Sequence, residues 1–282
     1  MATIQSLKGR IESIRKTASI TKAMHRIAAS KLSNSQAMLE AYNFFKQELD
    51  KVIIDVSQHI SDHKFLESKN TPKKLFILIT SDRGLAGPYH QQIFNAFLEH
   101  TKDLEKQNII LMVIGKKGYY FAKKNEFNLV NEDIISNRDQ LSIVAYDDHV
   151  DVIEQMFIDS KISDITIVYN HFVNALKQEV VFETLLPLTI NEELSEQVNL
   201  NDFMYEGKPD RIFEDLIAIY IHSRIYGVMV DAKLSEFAAR IVAMKQATDN
   251  SNEVLEQLNL QYHQARQQKI TSDILDIVNG KV

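Results

Sequence analysis

Cysteine is absent from this 282-residue chain, which excludes disulfides, a thiolate nucleophile and any cysteine-based metal site. Proline and glycine are scarce, at four and eight residues, and unevenly placed. Residues 1–71 hold no proline and one glycine, Gly9, while residues 210–282 hold no proline and only Gly227 and Gly280. Pro and Gly are the usual interrupters of helices. Each end therefore reads as an unbroken helical stretch that would run to roughly 100 Å at 1.5 Å per residue. No run of apolar residues approaches the ~18 needed for a transmembrane helix. No apolar signal-peptide core follows Met1-Ala2-Thr3, which leads into a charged amphipathic stretch.

Both ends carry apolar residues at helical spacing. Ile4, Leu7, Ile11, Ile14 and Ala18 step by three and four, as the a and d positions of a coiled coil do. Beyond Ala18 the apolar set shifts to Met24, Ile27 or Ala28, and then Leu32, which predicts a stutter that locally unwinds the coil. Ala28, Ala29 and Ser30 form a small-residue cluster open to close approach, and the helix is expected to continue through Tyr42, Leu49, Ile53 and Val56. At the other end Ile241, Met244, Thr248, Ser251, Leu255, Leu258, Tyr262 and Ala265 hold strict a/d spacing, followed by Ile270, Ile274 and Ile277. Asn279-Gly280 suits a helix C-cap. Neither stretch buries its stripe alone, so the two are expected to pair, antiparallel because the termini fold back together.

The middle has another rhythm. Residues 74–80 (KLFILIT), 108–114 (NIILMVI) and 164–169 (DITIVY) are apolar runs of the kind buried on both faces of a sheet. Residues 179–185 (EVVFETL) read as an edge or antiparallel strand. Helical segments near 88–105, 116–124 and 148–160 alternate with them, which predicts an α/β domain with a mostly parallel sheet. Polar linkers flank it at 62–73 and 189–209.

The net charge is −6, yet residues 8–31 carry seven basic residues and one acid, Glu12. Such a face is either solvated or turned to an acidic partner. Few aromatics and the acidic remainder of the chain weigh against nucleic acid. Catalytic motifs are missing. Residues 80–88 (TSDRGLAGP) follow the first strand, where α/β folds place phosphate loops. They match neither the Walker pattern nor G-x-G-x-x-G, and neither do Gly115-Lys116-Lys117-Gly118. Both are read as structural turns, and Ser81 lacks a nucleophile elbow. His59 and His63 share a helical face, but Ile60 stands where a zinc protease has Glu and no third ligand is evident, so both read as solvated. Asp147/Asp148 and Glu192/Glu193 read as surface carboxylates. Arg240, Lys245, Asn250, Arg266, Gln267 and Thr271, taken alone, read as polar surface of the last helix.

Several motifs together resemble one family. Ile20-Thr21-Lys22-Ala23-Met24 with Ala28-Ala29-Ser30-Lys31-Leu32, residues 80–88 (TSDRGLAGP), 169–188 (YNHFVNALKQEVVFETLLPL), 223–227 (SRIYG), 235–240 (SEFAAR), 243–250 (AMKQATDN) and 265–271 (ARQQKIT) resemble, in order and across the whole chain, the γ subunit of F-type ATP synthases of bacterial type. The chain departs from that pattern at Phe237, where the family usually has His, at Leu234, where it usually has Ala, and at Gln268-Lys269. No cysteine-bearing insertion like that of chloroplast γ subunits is present, which argues against thiol regulation.

The resemblance implies a fold of α/β class plus a long antiparallel coiled coil. Residues 1–61 and 210–282 would form the shaft, and residues 74–188 a Rossmann-like central domain. It implies a rotor within the α3β3 ring, with the α and β subunits, the ε subunit and the c-ring as partners. The expected place is the cell membrane, as a peripheral protein on the cytoplasmic side. It implies no catalytic residue, no cofactor and no metal. By resemblance, Lys22, Met24 and Arg240 match shaft positions near the rotor–stator contact, and Arg266, Gln267 and Thr271 match positions touching the β subunits. The alternatives are the rotor of an uncoupled F1-like ATPase, a nucleotide-binding α/β enzyme with helical dimerisation arms, and an unrelated coiled-coil scaffold.

Overall fold

The computed structural model describes residues 4–58, 60, 63–137, 146–189, 209–278 and 280. His59, Glu192, Glu193 and Asn279 lie outside the described residues, as does most of the second linker. The chain opens with helix α1 (Ile4–Ser57) and closes with helix α5 (Pro209–Val278). Between them come β1 (Lys74–Ile79), α2 (Tyr89–His100), β2 (Ile109–Ile114), α3 (Lys116–Lys124), β3 (Asn128–Leu129), α4 (Asp147–Ile158), β4 (Ile165–Phe172) and β5 (Gln178–Leu186). Contacts divide the chain into two compact units, Met1–Ser30 with Arg240–Val282, and Lys31–Ala239.

The first unit is a helix pair. Leu7, Ile11 and Leu258 are buried together, with Ile14, Leu255, Tyr262 and Ala265 packed against them. The hydroxyls of Thr21 and Thr248 meet at 2.7 Å. Stepping seven residues back on one helix and seven forward on the other leads from that pair to Ile14 and Leu255, which places the helices antiparallel in heptad register. The expected stutter after Ala18 is not present. Ala18, Thr21 and Ala28 are buried and His25 is half-buried, whereas Ile20 and Ile27 are 60% and 56% exposed. The seam runs straight on because small and polar side chains occupy its a/d positions. Of the residues in the expected shifted set, Ala28 is buried on the seam, Met24 and Leu32 are half-buried beside it, and Ile27 is on the outer surface.

The second unit is a five-stranded sheet in the order β3-β2-β1-β4-β5. β1 is parallel to β2 and β4, β2 is parallel to β3, and only the edge strand β5 is antiparallel. Alternate residues of the apolar strands serve two cores, which is why the runs are continuous. Leu75, Ile77 and Ile79 face the lower part of α1 (Leu49, Ile53, Val56), α4 (Val150, Ile153, Phe157) and α5 (Phe213, Ile217, Ile221, Ile225). Phe76 and Leu78 face Ile93 and Phe97 of α2 and Ala122 of α3. His63 is not solvated: it is buried, edge-on to Phe213 at 4.9 Å between ring centres. One aromatic neighbour, Phe65, is two residues away, but the nearer one, Phe213, comes from 150 residues away in sequence, beyond the reach of local pattern.

Where α5 crosses α1 the two approach closely at Gly227, whose missing side chain accommodates a tyrosine ring. A Cβ there would sit 1.9 Å from Tyr42 Cζ. Overpacking a core typically costs about 1–3 kcal/mol, so Gly227→Ala is expected to lower stability by at least that much in urea unfolding. An unchanged midpoint would show that the helices part at no cost.

Candidate functional site

Two places warrant examination as sites: the carboxyl ends of the parallel strands, where α/β folds bind ligands at a reversal of strand order, and the helix pair. Strand order reverses at β1, between β2 and β4. The turn after β1 is built for structure. Asp82 accepts bonds from the backbone N–H of Lys116 (3.0 Å) and Asn137 (3.2 Å) and from Ser136 Oγ (2.7 Å). Thr80 Oγ1 accepts from Gly118 N–H at 2.9 Å, and Asn137 Nδ2 donates to Thr80 O at 2.6 Å. Gly115 has φ +103°, and a Cβ on it would lie 2.4 Å from Thr80 O, so only glycine fits where the β2 end passes the β1 end. Ser81 lies 2.7 Å from His90 Nε2, but its hydroxyl donates to Arg83 O at 2.7 Å. With the one proton so engaged, His90 must donate to Ser81, and the serine is not activated as a nucleophile.

The crevice itself is filled by the chain's own last helix. Residues 227–240 of α5 are buried without exception. Tyr89 Oη donates to Ala232 O at 3.0 Å, and Lys233 Nζ donates to Asn137 O at 2.7 Å. Asp231 accepts from Phe172 N–H at 2.9 Å and pairs with His171 Nδ1 at 2.6 Å. Ala239 packs on Ala86 and Tyr89. The turns at 80–88 and 115–118 thus cradle a helix where an enzyme of this architecture holds its ligand. Among the described residues no group of three His or acidic side chains is placed to hold a metal.

The helix pair carries the residues singled out by sequence. Lys22 is exposed and lines a groove with Ala18, Ser19, His25, Lys245, Thr248, Asp249 and Asn252. Met24 is half-buried. Arg240 was expected at the surface and is 7% exposed, because the seam approaches it on a stretch of α5 with no solvent face. In the register set by Thr21 and Thr248, Arg240 falls about one turn beyond Met24, so these three sit on neighbouring turns. Arg266, Gln267 and Thr271 lie apart from them: Arg240 and Arg266 are separated by roughly 39 Å of helix. From residue 266 to 278 every described side chain is exposed, including Ile270, Ile274 and Ile277. In the same register these residues run past Ile4, the first described residue of α1.

The pair is also basic. Lys8, Arg10, Arg15, Lys16, Lys22 and Arg26 are all exposed. The Lys16 ammonium, 2.9 Å from Glu12, holds that carboxyl below the usual carboxylate range and neutralises the stretch's only acid. The polar members of the seam, Thr21 and His25, went unrecognised in the sequence. Their spacing from Ala18 was the available signal.

A family model described as ATP synthase matches residues 3–281. Two curated relatives, each named ATP synthase gamma chain, align over nearly their full length: that of Macrococcus caseolyticus is 34% identical over 99% of this chain and 98% of its own, and that of Halothermothrix orenii is 35% identical over the same shares. The chain belongs to the ATP synthase gamma-chain family. Chains in solved ATP synthase structures share its fold. A chain in the Tetrahymena thermophila mitochondrial ATP synthase central stalk and c-ring structure is 23% identical with a TM-score of 0.59, covering 81% of this chain and 99% of that one. A chain of the Euglena gracilis mitochondrial ATP synthase is 18% identical with a TM-score of 0.57, covering 97% and 94%. Membership accords with a filled crevice and a bare helix end, since neither provides for bond-making chemistry.

The Thr21–Thr248 contact gives a test of the seam. Each hydroxyl can also donate to its own helix, Thr21 Oγ1 to Ala18 O at 3.1 Å and Thr248 Oγ1 to Met244 O at 2.8 Å, so either single change leaves the other bonded, and the contact between them is worth about 0.5–1.5 kcal/mol. Thr21→Val and Thr248→Val are each expected to lower the melting temperature, and the double variant to lose less than their sum, read by circular dichroism. Additive losses in the cycle would show that the two hydroxyls do not interact.

Proposed function

We propose that this gamma-family chain is the central-stalk rotor of an F-type ATP synthase and couples proton movement through a membrane c-ring to ATP synthesis and hydrolysis on an α3β3 ring. The observation that carries the reading is the antiparallel helix pair whose α5 continues for more than a turn beyond α1 with every described side chain bare. An exposed row such as Ile270, Ile274 and Ile277 is costly in water and suits a surface that a partner covers. In this reading residues 1–61 and 210–282 serve as the shaft and residues 74–188 as the base domain, which meets the ε subunit and the c-ring. The chain supplies no catalytic residue. It acts by differential contacts: an asymmetric shaft favours different states of the subunits around it at each angle.

Lys22 then faces the stator along the pair, with the half-buried Met24 and the buried Arg240 on neighbouring turns of the packing that holds it in place, and Arg266, Gln267 and Thr271 contact the β subunits at the bare end. The exposed basic face of α1 meets acidic loops, where attraction is screened less than in open solvent. No helix among the described residues is long and apolar enough to cross a membrane. In this reading the chain is held at the cell membrane, on its cytoplasmic side, through the complex.

Co-expression with the α and β subunits of the same genome, with a tag on this chain, tests the reading. The expected product is a complex of three α, three β and one copy of this chain, whose ATPase depends on that copy. A folded chain that purifies alone would overturn it. Because Arg266 and Gln267 are exposed, the Arg266→Ala, Gln267→Ala double variant is expected to fold normally and to lower coupled turnover. Wild-type rates of ATP hydrolysis and synthesis in that variant would remove both residues from the contact.

A further inference from the structure

We infer, resting on the rotor reading, that Glu183, Arg224, Asp231 and Lys233 are torque-bearing positioning residues that stop α5 from turning in its seat within the Lys31–Ala239 unit. The apolar row Phe213, Ile217, Ile221, Ile225 holds α5 to the sheet. That attraction is non-directional and follows buried area, so it opposes separation more than rotation about the helix axis. Directional, charge-assisted bonds supply what it lacks.

Their placement around the helix is the decisive feature. Arg224 pairs with Glu183 on β5, and Asp231 binds His171 and the Phe172 N–H on β4. Arg224 and Asp231 are seven residues apart and so share a helix face to within about 20°. Lys233, two residues on and therefore about 200° around the helix, donates to Asn137 O in the segment after β3. The helix is thus gripped from opposite sides by separate parts of the domain. Turning it by a single residue position breaks both grips at once.

Stability alone is a poor account of these groups. Asp231 and Lys233 are 6% and 4% exposed. Burial raises the Asp231 carboxyl above the usual carboxylate range, and the bonds from His171 and Phe172 offset only part of that. Taking such charges out of water costs about as much as their attraction returns, so their presence is weak evidence of stability, and fixing one arrangement is the best-attested use of a buried charged group. In a rotor, the arrangement specified is the angular setting of α5 on its domain.

The test uses the assembled complex in sealed vesicles, with ATP hydrolysis and ATP-driven proton uptake measured on the same preparation. In the Glu183→Gln, Asp231→Asn double variant, hydrolysis is expected to persist while protons moved per ATP fall about fivefold or more, the lower end of an energetic coupling between sites. Reversing the pair, Glu183→Arg with Arg224→Glu, is expected to recover more of that ratio than either single change. A merely structural role lowers the amount of complex and leaves the ratio untouched. Should the double variant fail to assemble, Arg224→Lys, which keeps the charge and loses the guanidinium fork, carries the test. A wild-type ratio in the assembled variants overturns the inference alone. A wild-type chain that neither assembles nor pumps overturns the rotor reading and the inference with it.

Discussion

The α/β unit is organised round a helix that must be buried on every side. A helix with no solvent face is a core element rather than a surface one, and residues 227–240 of α5 meet that description. The rest follows from satisfying them. Tyr42 lies where Gly227 has no side chain, Tyr89 and Asn137 reach the helix from the strand ends, and Asp231 and Lys233 find partners at His171 and Asn137. A ligand crevice at the same place is lost in consequence. The strand order reverses where α/β sheets commonly hold ligands, and here the chain's own helix takes that place.

The helix pair answers a different demand. Its seam passes from bulky residues (Leu7, Ile11, Leu258) to small and polar ones (Ala18, Thr21, Ala28, Ser251). Polar residues at core positions of a coiled coil lower stability and specify register. A shaft gains from that exchange, because a pair of helices that slides by a heptad transmits no defined angle. Toward its end α5 leaves its isoleucines bare.

Much of this was legible in the sequence. Strands, helices and their alternation were read from apolar runs, and the seam of α5 from its spacing, because those signals are local and repeat many times. The γ-family motifs were recognisable because they cover the chain in order. The errors share one cause. The apparent stutter after Ala18 arose from following apolar residues alone, when a close helix contact accepts Thr and His. His63 and Arg240 read as surface in the sequence and are buried in the fold, because a single polar residue carries no trace of what packs on it from elsewhere in the chain. Glu183 and Arg224 stood inside recognised motifs with no role assigned, since they lie 41 positions apart and nothing in either stretch points to the other.

By itself the sequence determined that two unbroken helices flank a mostly parallel α/β sheet, that no thiol is available, and which family the chain joins. Periodicity, and the rarity of the residues that break helices, set those outcomes through interactions spanning a few residues. Tertiary structure alone decided that the strand-end crevice is occupied, that Gly227 is required by a tyrosine on α1, and that α5 is gripped from opposite faces by charges paired across the chain. Each of those depends on the meeting of segments that only the folded sheet brings within bonding distance.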